Sequence, residues 1–291
     1  MKSNSKIKKI IGVSFLLILS YVAINLFTYS TVNEVSLGCI KISKNLYFYE
    51  CEVTVREWVS YYSWILKQEG SIAANKILPD SVAVESEVWQ LFKHKSNRYD
   101  KTLASETGQP IGFFCKKCDD FIKYDKDIYR RSACPFYYFP ITGLTYEQVV
   151  EFCKWKTKVQ GGNKIVYSLP TQQQWIDIAV FCLGESMKKR GFQDSITKKG
   201  CPTFNYKFHC ACLENPKITK SQQLGIGGWE PCPNAGFDIF GNVSEMTADK
   251  GIAKGGNYLT FANQCHYDSI QVYKKPEIWL GFRYIARLNG N

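Results

Sequence analysis

An α+β fold with much loop and little regular sheet is the expectation for this chain of 291 residues, and three observations carry it. Three helix starts share one chemistry, a Thr followed three residues later by Glu or Gln, and each opens an amphipathic segment. The other apolar pieces, such as Gly281-Phe-Arg-Tyr-Ile-Ala286, are long enough only for short strands. From Gly184 to Pro233 the chain is rich in Gly, Lys and Cys and has no periodic pattern, which reads as irregular structure. The composition is 45% hydrophobic and 15% aromatic, that of a packed globular protein, and excludes a disordered or collagen-like chain.

In chain order, residues 1–9 form a basic segment with Lys2, Lys6, Lys8 and Lys9, expected to stay in the cytoplasm. Residues 10–27 carry no formal charge and approach the length that crosses a bilayer of about 30 Å. Lysines in front and only Glu34 soon after orient the body outward by the positive-inside rule, so a transmembrane signal anchor is expected. A cleaved secretory signal is the alternative, although Tyr21 spoils one cleavage site and Thr28-Tyr29-Ser30 makes a poor one. A stalk over 28–38 then leads into one mixed domain over 39–291, since nothing marks a second core or an internal repeat.

Twelve cysteines fit an exported domain, where thiols oxidise and pair. The local candidates for bridges are Cys39 with Cys51, Cys115 with Cys118, and the crowded Cys201, Cys210 and Cys212. Cys115-Lys-Lys-Cys118 is also readable as a redox pair and His209-Cys210-Ala-Cys212 as a metal site, but no second ligand pair stands at zinc-finger spacing. Structural disulfides are the expectation.

The three helix starts are Thr54-Val-Arg-Glu57, Thr145-Tyr-Glu-Gln148 and Thr171-Gln-Gln-Gln174. Their core-facing stripes are Trp58, Tyr62, Ile65 and Leu66; Val149, Phe152 and Cys153; and Trp175, Ile178, Ala179 and Cys182. A further helix is expected around Ser81 to Lys93, inside a charged segment from Glu69 to Asp127 that is expected to include an insertion.

Four segments in order carry a family resemblance: Tyr49-Glu-Cys-Glu-Val-Thr54; Pro140-Ile-Thr-Gly-Leu-Thr145 through Phe152-Cys153-Lys154-Trp155; Ser168-Leu-Pro-Thr171 through Trp175; and Asp238-Ile-Phe-Gly-Asn-Val-Ser-Glu-Met246 with Lys254-Gly-Gly-Asn-Tyr258 and Gly281-Phe-Arg283. Together they resemble the formylglycine-generating enzyme, or sulfatase-modifying factor, family. The resemblance implies a variant of the C-type lectin fold, with two main helices and much loop. It also implies calcium as a cofactor, held partly by Asn242 and Glu245, whose oxygen donors suit that ion. The plain alternative for those two is a turn at Asn242 and a buried salt link from Glu245 to Arg283.

Active members of the family oxidise a substrate cysteine with one cuprous ion gripped by two thiolates. Counting from the glycine pair places those positions at Thr260 and Cys265, so only one is a cysteine. A threonine hydroxyl is hard and neutral and does not replace a thiolate on soft Cu(I), so copper is not expected. Cys265 is then the candidate catalytic residue of an oxidase reading, and a disulfide partner otherwise. His266 is a candidate soft ligand beside it, and Asn257, Tyr258, Thr260 and His266 are the candidate binding surface.

No phosphate loop, nucleophile elbow or H-E-x-x-H helix occurs, and the basic residues do not form a nucleic-acid-binding stripe. The expected function is a non-copper binding or scaffold module of the cell envelope, anchored in the membrane with its domain in the periplasm or outside the cell. Its partner would be an envelope or secreted protein or a glycan. The alternative is a formylglycine-generating oxidoreductase or related maturation enzyme acting on an exported substrate.

Overall fold

The computed structural model describes residues 38–93, 139–184 and 236–289. All three Thr-led helix starts form as reciprocal capping boxes. In the first, the Glu57 backbone N–H donates to Thr54 Oγ1 and the Thr54 N–H donates to Glu57 Oε2, both at 3.3 Å. This answers two of the orphan donors that every helix N-terminus leaves. The helices that follow are α1 (Val55–Glu69), with α2 (Ser71–Asn75) and α3 (Ser86–Lys93) after it, then α4 (Tyr146–Lys156) and α5 (Gln172–Leu183).

Helix α3 starts five residues later than the sequence suggests. Asp80 closes a turn instead: its side chain accepts from the Val82 N–H and its carbonyl from the Ala83 N–H. An Asp that bonds backbone two residues on favours a turn over a helix.

The stripes are buried as their spacing implies, with one exception. Leu66 is 42% exposed, because the buried face of α1 is centred on Trp58, Tyr61, Tyr62 and Ile65. Phe152 of α4 is a hub of this core: Trp58 stacks on it at 5.4 Å, and Tyr61 and Phe282 meet it edge-on. The Trp58 indole donates to the Ile77 carbonyl at 3.0 Å, so burial of that polar atom carries no penalty.

The strands are short, as expected, and pair into two sheets. One sheet has the order β1 (Cys39–Lys41), β2 (Leu46–Tyr49), β8 (Ile285–Leu288), β3 (Ile165–Ser168), every pair antiparallel. The other has the order β6 (Gln271–Val272), β5 (Ile252–Lys254), β4 (Ser244–Met246), β7 (Leu280–Gly281), with β4 and β7 parallel. No strand exceeds four residues, which is too short for period-two alternation to register. The pairing of Leu46 with Arg287 joins the two ends of the domain.

The expected disulfide between Cys39 and Cys51 does not form, and no other forms among the described residues. In the β1–β2 register Cys39 lies opposite Tyr49, and Cys51 falls two residues farther on, where the chain bends past the end of β2. Cys153 and Cys182 are consumed as core residues on α4 and α5. Cys115, Cys118, Cys201, Cys210 and Cys212 lie outside the described residues, as do the apolar run 10–27 and the stalk. Among the described residues no helix is long and apolar enough to cross a membrane.

The two sheets are tied by one buried ion pair. Arg283, fully buried between β7 and β8, donates through Nε and Nη2 to Glu245 Oε1 of β4 at 3.0 and 2.8 Å. Its remaining donors reach the carbonyls of Tyr49 at the end of β2 and Phe237. The second Glu245 oxygen accepts from the Trp175 indole of α5 at 2.8 Å. Burial works against the charge on Arg283, and the adjacent carboxylate outweighs it, holding the guanidinium above its ordinary value. Arg283→Met is therefore expected to lower stability by about 3–5 kcal/mol in urea unfolding, because Glu245 is left charged and unpaired in the core. A loss under about 1 kcal/mol would mean that the pair is not a structural tie.

Candidate functional site

The residues at which the family resemblance places chemistry lie on the loop from Gly255 to Gln271. Gly255 and Gly256 both have positive φ, +95° and +71°, and turn the chain sharply out of β5. At Gly256 a Cβ would stand 2.4 Å from Cys265 Sγ, so glycine is required for the loop to fold back onto the thiol.

Under that turn sits a closed network. The Thr260 hydroxyl donates to the Asn257 carbonyl at 2.8 Å and accepts from the Asn257 N–H at 2.8 Å. Cys265 Sγ lies 3.3 Å from the same hydroxyl. The thiol donates to the Phe261 carbonyl at 3.7 Å, so the sulfur is held from two sides. Cys265 is fully buried, and burial pushes its thiol up to about 11, so it carries no thiolate at neutral pH. Thr260 and Cys265 thus meet as the count from the glycine pair implies, but they form a hydrogen-bonded clasp.

Asn257 and Tyr258, expected on a binding surface, are buried at 2% and 4% exposure. The Asn257 side chain donates to Ser244 Oγ and accepts from the Leu259 N–H, fastening the loop to β4. Tyr258 is held by its N–H to the Asn242 carbonyl. Both hold the loop in place through these bonds. His266 is partly exposed, and its Nδ1 accepts from the Asp268 N–H at 3.3 Å.

The apolar side chains that the loop turns outward were not singled out in the sequence. Leu259 is 45% exposed, Phe261 57%, Ile270 50% and Val272 66%. They flank the clasp on both sides, with Val272 on β6 at the edge of its sheet. In the sequence they are scattered apolar residues among polar ones, and only the burial of their neighbours marks them as a surface.

A second cluster lies in the interior. Asn242 adopts a left-handed conformation, φ +53°, and donates through Nδ2 to Glu52 Oε1 at 3.1 Å. Asn242 is 1% exposed, so the Asn242-Val-Ser244 sequon is closed to glycosylation in the folded domain. Glu52 is fully buried and its Oε2 has no hydrogen-bond partner. Burial, then the charge of Asp238, raise the Glu52 carboxyl well above its ordinary value, against the pull of Arg283. The sequence hint was the glutamate of Glu52-Val-Thr54, whose side chain turns inward while its chain leads into α1.

Neither implied metal fits these residues. A cuprous ion needs two thiolates, and the loop offers one neutral, hydrogen-bonded thiol and a hydroxyl. For calcium, both Glu245 oxygens already accept from Arg283 and Trp175, and the guanidinium occupies the place a cation would take. Glu245 is the counterion of Arg283, and Asn242 serves a turn. Among the described residues no cluster of three or more His, Cys, Asp or Glu could hold a metal.

Two measurements test this arrangement. In competition with a cuprous chelator the protein is expected to show no tight one-to-one copper binding, and Thr260→Cys to gain it; tight binding by the unaltered chain would refute the clasp. Glu52→Gln tests the buried proton. The native state keeps a proton that the unfolded state releases above its ordinary value of 4.5, so stability falls as pH rises through that range. The amide cannot ionise, so the variant should melt about 2–4 °C higher at pH 8, as a ~1 kcal/mol gain implies, with little change at pH 4. Equal shifts at both pH values would exclude the titration.

No curated protein sequence matches the chain. Among solved structures, the chain is similar to Treponema denticola variable protein 1, at 16% identity over 52% of this chain and 72% of that one, with a TM-score of 0.37. It is similar to PvdO from Pseudomonas aeruginosa, at 13% identity over 84% and 80% of the two chains and a TM-score of 0.49. It is also similar to CarF, at 13% identity over 84% and 87%, with a TM-score of 0.47. The family model of the sulfatase-modifying factor enzyme 1-like domain matches residues 40–288, nearly all of the domain outlined above, and the chain belongs to that family.

Proposed function

We propose that this protein is a non-copper binding module, anchored at a membrane, whose loop from Leu259 to Val272 docks an exported protein partner. The observation that carries the reading is the Thr260–Cys265 clasp: the position that would hold a metal thiolate instead holds a neutral, buried thiol that braces the loop. Around that brace the apolar side chains facing solvent are Leu259, Phe261, Ile270 and Val272, set among the exposed polar residues Asn263, Gln264 and Asp268. Exposed apolar groups held by ordered backbone suit a protein interface, because little entropy is lost on docking. The basic residues ahead of the apolar run at 10–27 support the anchoring and an outward-facing domain.

Photo-crosslinking in native membranes tests the proposal. A photoreactive residue at Phe261 or Val272 of the full chain should give one discrete crosslinked product, and the same residue at Val166, exposed on the other sheet, should not. The product should fall at least fivefold in a Leu259→Asp background. A sulfatase-type cysteine peptide incubated with the protein and copper should remain unconverted; its oxidation to formylglycine would sink the binding-module reading.

A further inference from the structure

A groove between α1 and α4 lies on other elements than the loop just described. It encloses about 620 Å³, within the range of small-molecule sites. Its aromatic wall is built by Tyr61, Trp64 and Trp155. Tyr61 and Trp155 meet at 4.9 Å with rings tilted by 41°, and Trp64 and Trp155 at 6.3 Å, nearly edge to face. These rings are on the outer flank of the Phe152 core, and Trp64 and Trp155 are only partly buried. The Trp155 indole N–H has no acceptor in the structure.

The rim decides which ligand suits this wall. Most of its polar groups are already matched. Glu151 pairs with Lys154, Glu147 with Lys250, and the Gln148 amide donates to the carbonyls of Lys76 and Leu78. Two lining charges, Glu69 and Lys76, make no ion pair among the described residues, and Lys158 rests 5.5 Å over the Trp64 ring. The groove therefore offers an acceptor-only carboxylate together with donor-only ammonium groups. An anionic ligand would meet Glu69, and a cationic one would meet Lys76 and Lys158. A hydroxyl both donates and accepts, so a neutral polyhydroxylated ligand satisfies both sides of the rim. A pyranose ring adds an apolar C–H face for an indole to cover.

We infer that this groove is a binding site for a neutral oligosaccharide, with Trp64 and Trp155 as the stacking wall and Glu69 and Lys76 as the hydroxyl-reading rim. The site is independent of the loop and of the protein partner proposed for it.

The test is a titration of the full chain, held in a detergent without sugar headgroups, with chitotetraose, cellotetraose, maltotetraose and xylotetraose. Binding is followed by tryptophan fluorescence and by calorimetry. At least one sugar should bind saturably, with an affinity that changes less than twofold between 50 and 500 mM sodium chloride. Trp64→Ala should weaken that binding at least tenfold. The exposed rim variant Glu69→Gln, which leaves the core untouched, should weaken it severalfold. A Phe261→Ala, Val272→Ala double variant should bind as the parent does, which separates this site from the loop. The inference is overturned if no sugar saturates by 10 mM, if binding survives both groove variants, or if only charged polymers such as heparin or polylysine bind and salt abolishes it.

Discussion

The buried pair of Arg283 and Glu245 is the constraint on which the domain depends. A guanidinium in a core is tolerable only when its charge and its donors are answered, and here one carboxylate and two backbone carbonyls answer them. The groups that do so come from β2, from Phe237 ahead of β4, and from β4 itself, while Trp175 of α5 completes the carboxylate. Four distant parts of the chain are thereby held to one point. Strands of two to four residues cannot specify a sheet by their own pairing, so a directional polar tie supplies what short ladders do not.

The same economy governs Lys156, a second buried charge. Lys156, at the end of α4, is 5% exposed and lies 3.5 Å from Glu57 Oε1, with the Tyr284 ring 4.6 Å away and Tyr167 at 5.5 Å. Glu57 uses its other oxygen in the capping box of α1, so one side chain starts one helix and neutralises the end of another. The ammonium is enclosed by that carboxylate and the ring faces together. The helical layer is thus aligned by a polar contact as well as by the stacking of Trp58 on Phe152.

At the loop, a small change of chemistry redirects the architecture. With threonine at position 260, the nearest partner of the Cys265 sulfur is a hydroxyl that already bridges the Asn257 backbone, and the thiol is drawn into a turn. Gly256 lets the backbone pass over it, and burial keeps it neutral. The loop becomes stiff from beneath and turns Leu259, Phe261 and Ile270 outward among polar neighbours. Its outward face depends on which side chains are left after Asn257, Tyr258 and Cys265 have turned inward.

The capping boxes at Thr54, Thr145 and Thr171 were legible because they are local: four consecutive residues contain both halves of the interaction, and the stripes that follow repeat at the helical period. The family motifs and the encounter of Thr260 with Cys265 were legible for the same reason. The sheets were not, because Leu46 and Arg287 pair across almost the whole domain and neither strand is long enough to show alternation. The failed Cys39–Cys51 bridge, the inward turn of Asn257 and Tyr258, and the raised carboxyl of Glu52 all depend on register and burial. Residue identity by itself therefore determined the helices, the order of the motifs and the loss of one thiolate. Which polar groups face each other, which cysteines stay apart and which aromatic residues face solvent were decided only in three dimensions, because those outcomes depend on distances between segments that the chain does not place side by side.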